Sequence, residues 1–403
     1  MLTFNYKARD TAANKIVKST VQANSEADAA KLLMSQNIVP LEIVLEGDKK
    51  GFMKSFGGKV NTKQRVIFTR QLATMINAGL PLVQSLSTVE EQTSSRALKR
   101  VVGEVIGDVN GGSALADAFA KHPEVFNQVY IALVKAGESS GTLDKSLERL
   151  ANQQEHDADM LSKIRGAMVY PGIVLGVIIG VVMFMLISLV PQVESLYNDM
   201  GKQLPMSTQI LVGVANAVIN FWWLLLIILA GLIFFARRWI KTDSGRKAWD
   251  SVKLNMPIFK TLFRKMYMSR FSRTSETLLA SGVPLLEELN IAADAVNNVI
   301  VKEEILRARQ KVKNGKPLSE GLTGEEYILQ FVPQMIKIGE QSGGIDAMLG
   351  KVADYYEKEV DNAIKAIQTM IEPILMVVMA GMIGFIVLAV LLPIYGLAGD
   401  TAI

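Results

Sequence analysis

The sequence predicts an all-α membrane protein, with two tandem homologous cytoplasmic helical bundles, three transmembrane helices and a small N-terminal α+β module. Three observations predict it. The stretch from Phe68 to Leu82 (FTRQLATMINAGLPL) returns from Phe271 to Leu285 (FSRTSETLLASGVPL). The two copies stay in step for about 200 residues, far longer than a solenoid period, which marks a duplicated domain. Three long runs carry no charge: Gly166 to Gln192, Met206 to Ala236 and Pro373 to Gly399. Finally, the chain is 50% hydrophobic and only 20% charged, with a mean hydropathy of +0.26, too apolar for an average soluble enzyme of 403 residues.

Composition also excludes chemistry. No cysteine occurs, so disulfides and thiolate metal sites are ruled out, and His122 and His156 alone leave little for a zinc site. A net charge of +4 is mild and calls for no nucleic-acid partner. Residues 1–10 lack the basic start, apolar core and small-residue cleavage site of a signal peptide, so the N-terminus is expected in the cytoplasm.

Residues 1–45 form the expected α+β module. Phe4 to Ala8 and Ile16 to Val21 alternate apolar and polar residues around a turn, Ser25 caps a helix running to Met34, and Ile38 to Val44 closes as a strand. Residues 46–60 are glycine- and lysine-rich and read as a linker. The first bundle spans 61–165 and the second 238–370. Their breaks fall at matching places: Gly79 and Gly282 stop a helix, and Pro81 and Pro284 open the next.

The spans are placed at 166–192, 210–237 and 371–396, each longer than the roughly 20 residues needed to cross hydrocarbon. Trp222 and Trp223 at one end of the second and Trp239 at the other match interfacial belts. Arg237, Arg238, Lys241, Arg246 and Lys247 follow that span, whereas the connection at 193–209 carries only Lys202 against Glu194 and Asp199. The positive-inside rule therefore puts the basic side in the cytoplasm, the 193–209 loop and the 397–403 tail outside it, and both bundles on one side.

The most specific motif is a doubled Gly-Glu-x-Ser-Gly-x-(Leu/Ile)-Asp, at Gly137, Glu138, Gly141 and Asp144, and again at Gly339, Glu340, Gly343 and Asp346. It reads as a helix stop and restart, with glycine permitting left-handed backbone and Thr142 or Asp144 satisfying free amides. The paired carboxylates leave two alternatives open, a calcium or magnesium site and a contact with a basic partner. Gly172, Gly176 and Gly180 recur every fourth residue on the first span, and Ala380 with Gly384 makes a weaker stripe on the third. Such stripes pack helices closely, either within one subunit or against another helix.

Pro171 and Pro373 are expected to bend the chain just inside the membrane, with Pro191 and Pro393 at the far ends. Glu372 stands where the first copy has Tyr170; within hydrocarbon it would be functional, at the headgroups it would only favour a helix start. Lys253, Lys260, Arg264, Lys265 and Arg270 form a basic run, either solvated or lipid-facing, or a landing surface for an acidic partner. No Gly-x-x-x-x-Gly-Lys-(Ser/Thr) loop occurs, Gly315-Lys316 being the nearest fragment. No Gly-x-Ser-x-Gly elbow and no His-Glu-x-x-His pair are expected. An enzyme is not expected, nor a cofactor.

The Phe-x-Arg helix followed by Gly-x-Pro-Leu, the Gly-Glu-x-Ser-Gly turn, the Tyr-Pro or Glu-Pro start of an apolar helix and the tandem layout together resemble the type II secretion system F family. The likeness covers about the whole chain and is nearest to the inner-membrane platform proteins of type IV pili. It implies a platform in the bacterial inner membrane that contacts hexameric cytoplasmic assembly and retraction ATPases, other inner-membrane pilus components and pilins, and forms a dimer or tetramer. Glu372 would then meet a polar group on a passing pilin, and Arg264 with Lys265 would face the motor. A secretion or competence platform is the near alternative. A transporter or signalling receptor is the distant one, disfavoured by a direct repeat and only three spans.

Overall fold

The computed structural model describes residues 2–10, 16–23, 32–33, 38–45, 60–199, 201 and 206–400; side chains are described for most of these, but not beyond 388. At the N-terminus lie strands β1 (Leu2–Asp10), β2 (Ile16–Ala23) and β3 (Ile38–Leu45), in the order β2-β1-β3 and antiparallel throughout. The β1–β3 register shifts between Lys7 and Ala8, beside Pro40. Proline has no amide hydrogen to give to a ladder, so an edge strand at an irregularity is where it belongs. The expected helix at 25–34 and the 46–60 linker lie almost wholly outside the described residues.

The first bundle is built from α1 (Thr62–Asn77), α2 (Leu82–Gln92), α3 (Arg96–Asn110), α4 (Leu115–Ala120), α5 (Gln128–Ser140) and α6 (Leu143–Ala167). Phe68, Phe119, Phe126 and Tyr130 are fully buried in its centre, with Phe119 and Phe126 ring centroids 4.3 Å apart. The second bundle repeats the series as α10 (Lys260–Ala280), α11 (Leu285–Ala295), α12 (Val299–Lys313), α13 (Leu318–Leu322), α14 (Phe331–Ser342) and the start of α15 (Ile345–Asp400). Helix α9 (Asp243–Asn255) precedes it.

Matching residues make matching turns. Gly79 (φ +83°) and Gly282 (φ +85°) end α1 and α10. In each, an amide one residue later returns to a carbonyl five back, Leu80 to Met75 and Val283 to Leu278. Only glycine enters that left-handed region without strain. Pro81 and Pro284, at φ −57° and −59°, then stand immediately before α2 and α11.

Among the described residues three helices are long and apolar enough to cross a membrane. Helix α7 (Val169–Asp199) follows α6 after a break at Met168, three residues before Pro171. In the second copy no break exists: α15 runs unbroken for 56 residues, about 84 Å at about 1.5 Å per residue, through Pro373 and Pro393. The paired bends expected at Pro171 and Pro373 thus become one interruption and one continuous rod. Helix α7 likewise passes through Pro191 and ends seven residues beyond Gln192, so most of the expected 193–209 connection is helical.

Helix α8 (Met206–Ile240) is interrupted at Phe221 (φ −120°, ψ 19°). Its second part, Trp222 to Ile240, is about 28 Å long, the thickness of the hydrocarbon, and is bounded by the predicted tryptophans. The first part returns along α7, where Val212 and Ala215 pack against Leu186 and Val190.

Candidate functional site

Three features could carry force or contact partners: the doubled turn, the arginine clamps that brace each bundle, and the seam where the bundles meet.

Each residue of the doubled turn has a separate task. Gly141 (φ +70°) and Gly343 (φ +74°) close α5 and α14 in left-handed conformation. Gly137 and Gly339, one turn earlier, are needed for space. A Cβ at Gly137 would stand 2.6 Å from Ser146 Cβ, and one at Gly339 would stand 2.7 Å from Ile345 Cα, so α5 and α14 touch the next helix backbone to backbone. The glutamate between them serves a third helix. Glu138 accepts hydrogen bonds from the Leu115 and Ala116 amides (2.8 and 3.2 Å) at the start of α4. Glu340 does the same for Leu318 and Ser319 at the start of α13 and also accepts from the Ser319 hydroxyl. A carboxylate on free amides at a helix N-terminus is favoured by the hydrogen bonds and by the helix dipole.

Thr142 makes no cap bond; its hydroxyl pairs with Ser140 instead. Asp144 and Asp346 lie in the first turns of α6 and α15. The start of α6, where Thr142 or Asp144 was expected to act, thus takes no cap bond from Thr142, while Glu138 on α5 caps the distant α4. That long-range pairing has no local signature beyond the exact doubling of the glutamate. Among the described residues no three acidic or histidine side chains gather as a metal set. Gly137 to Gly141 does spell Gly-x-Ser-x-Gly, but Ser139 stands at the exposed end of a helix with no strand before it. It is not a nucleophile elbow.

The arginine of Phe-x-Arg clamps α1 to α6 and α10 to α15. Arg70 reaches Glu155 (2.7 and 2.6 Å), Glu148 (2.7 Å) and Asn152. Arg273 reaches the equivalent Glu357 (3.0 Å) and Asp354. Both guanidiniums are held charged, Arg70 chiefly by its bond to Glu155, and the Glu155 carboxyl is held below its usual range by the same bond. These acidic partners were missed from the sequence, although Glu155 and Glu357 stand equally far downstream of Glu138 and Glu340.

Between the bundles, α6 crosses α10 and α15. Arg149 donates to the Ala280 carbonyl and to Ser281 Oγ (3.2 Å), Gln153 to Thr274 (2.9 Å), and Lys163 to Asp361 (2.8 and 3.0 Å). Helix α10 is consequently buried nearly all round. One carboxyl there has no partner: Glu288 on α11 is 0% exposed with neither oxygen hydrogen-bonded, and burial raises its pKa to about 8. Ser85 holds the equivalent place in the first bundle, bonded to the Pro81 carbonyl.

The other predicted residues fall in three settings. Arg264 and Lys265 are not a free basic surface. Arg264 lies over the Tyr327 ring at 4.9 Å and bonds the Leu254 carbonyl, and Lys265 pairs with Glu359 on α15. Gly172, Gly176 and Gly180 are exposed, with open space where each Cβ would stand, as at Gly384 on α15, where Ala380 is exposed as well. The stripes are therefore not used for packing inside the described chain. Glu372 is exposed on α15 beside Pro373.

Comparison with known proteins agrees with this geometry. The model of the type II secretion system protein F domain matches residues 68–191 and again 271–393, and that of its N-terminal domain matches 1–44. The chain is 38% identical over 410 aligned residues to the type IV pilus assembly protein PilC of Thermus thermophilus, covering 100% of both chains. It is 36% identical over 368 residues to the PilC of Pseudomonas aeruginosa, covering 91% of this chain and 97% of that one. It is 32% identical over 399 residues to the type II secretion system protein F of Vibrio cholerae, covering 98% of each.

Proposed function

Because the chain belongs to the type II secretion system F family, we propose that it is the inner-membrane platform of a type IV pilus assembly machine, coupling cytoplasmic motor ATPases to the insertion and extraction of pilins. The observation that carries the mechanical part is the seam between bundles. Two domains that share ion pairs and a buried helix lie on one side of any bilayer their spans cross, and they move together. A push on either bundle reaches the membrane through α15, a single helix from the second bundle into the span, and through α6 into α7. Nothing in this route needs chemistry of the chain's own, so the energy comes from a partner.

By the positive-inside rule we read the basic end of α8 as the inner side, which would put the end of α15 outside and the bundles and the N-terminus in the cytoplasm. There the hexameric ATPases would dock. The outward glycine stripes of α7 and α15 suit contact with a second subunit, in a dimer or tetramer, or with a pilin helix. Glu372, exposed at the membrane edge, is the residue proposed to meet a pilin. Identity runs from 33 to 38% for the pilus relatives and from 31 to 34% for the secretion relatives, and this lean towards the former supports the pilus role.

Deleting the gene in its native host tests this reading. Loss of surface pili from the sheared fraction, with secreted proteins unchanged, is the expected result. Intact pili with a secretion defect would assign the chain to the alternative, a type II secretion platform.

A further inference from the structure

We propose that α9 is a membrane-surface helix, lying in the headgroup layer of an anionic bilayer and fastening the second bundle to the leaflet beside the α8 span. The inference uses the assignment of α8 as a span and does not depend on the pilus role.

The chain passes from span to α9 without a spacer. The Lys241 and Thr242 amides bond back to the Arg238 and Trp239 carbonyls (3.2 and 2.9 Å), and Thr242 Oγ1 caps the new helix at the Gly245 amide (3.2 Å). Gly245 lies so close against the Trp239 carbonyl that no Cβ fits there. Helix α9 therefore starts at the depth of Trp239, an interfacial residue at the end of the hydrocarbon span.

Its two faces differ. The inner face belongs to the bundle: Leu254 is fully buried, and Asp250, 2% exposed, accepts from the Val299 amide (2.9 Å) at the start of α12. The outer face is apolar and bare. Trp249, Val252 and Met256 recur at three- and four-residue spacing on one stripe, 41, 45 and 39% exposed. Ile258 continues it, 44% exposed at φ +73°. A β-branched residue at positive φ is strained, and no packing within the described chain compensates for it.

Charge selects the occupant. From Arg237 to Lys260 the sequence holds seven lysines and arginines against two aspartates; Lys253 pairs with Asp250 and Lys247 with Glu303, and the cations nearest the span, Arg237, Arg238 and Lys241, make no ion pair among the described residues. The Lys253 ammonium lies 6.0 Å from the Trp249 ring centroid, putting a cation beside the apolar stripe. An apolar stripe with flanking cations, continuous with a membrane span, fits an anionic lipid surface.

The test uses the full chain in liposomes. Trp222, Trp223 and Trp239 are changed to Phe, leaving Trp249 as the sole tryptophan, and the lipids are brominated on the acyl chain just below the headgroup. Vesicles rich in phosphatidylglycerol should quench at least half of the Trp249 emission, and at least twice as much as phosphatidylcholine vesicles at high salt. As the chain has no cysteine, a nitroxide on Val252→Cys gives a second reading, expected to be relaxed more by oxygen than by a water-soluble nickel chelate, with Ser139→Cys showing the reverse. Emission unquenched by either lipid, equal quenching by both, or a Val252 label as open to nickel as the Ser139 label would each overturn the proposal.

Discussion

Replacing Glu288 by glutamine removes a buried carboxyl whose ionised form the second bundle does little to stabilise. The side chain is fully buried, both oxygens lack a hydrogen bond, and the neighbouring Ser275 hydroxyl offsets only part of the cost of burial. Its pKa rises from 4.5 to about 8, which corresponds to on the order of 5 kcal/mol. Between those values the folded chain holds a proton that the unfolded chain has lost. Stability from this group is therefore intact at and below pH 4.5, falls as pH rises, and is fully lost above about 8. Glutamine keeps the shape of the protonated acid and titrates nowhere. Thermal unfolding of the full chain in detergent, followed by circular dichroism from pH 5 to pH 9, should give coincident midpoints for Glu288→Gln and the parent near pH 5. By pH 9 the variant should be the more stable, by on the order of 10 °C. Midpoints that stay parallel across the range, or a parent that gains on the variant as pH rises, would refute the reasoning.

Three further outcomes follow from the doubled turn and the clamps. Gly339→Ala drives a Cβ into the Ile345 backbone and should cost about 1–3 kcal/mol, read as a lower unfolding midpoint; Gly107→Ala, in open space on α3, should not. Glu340→Gln weakens the charged cap of α13 and should speed hydrogen exchange at Leu318 and Ser319 several-fold, while Leu115 and Ala116, capped by Glu138, stay as they were. Arg273→Lys loses the fork that spans Glu357 and Asp354. It should loosen α10 from α15, measured as faster proteolysis of the second bundle, with Arg70→Lys doing the same to the first.

Much of this molecule is local, and local features are legible in a sequence. Charge-free runs long enough to cross a bilayer mark candidate spans by length and composition, so those three helices are legible in the sequence. The glycines at Gly79, Gly282, Gly141 and Gly343 adopt the left-handed turns expected of them because a helix end needs no distant partner to stop. The duplication, too, is written twice in the letters. Tertiary structure decided what the same letters touch. Glu138 looked like part of its own turn and caps another helix; Arg264 and Lys265 looked like a docking surface and are engaged within the bundle. Pro171 follows a break while Pro373 sits inside an unbroken rod. Side-chain pairing and burial depend on which helix faces which, and that is set by the packing of whole bundles; hydrophobic period and turn chemistry are fixed within a few residues of chain.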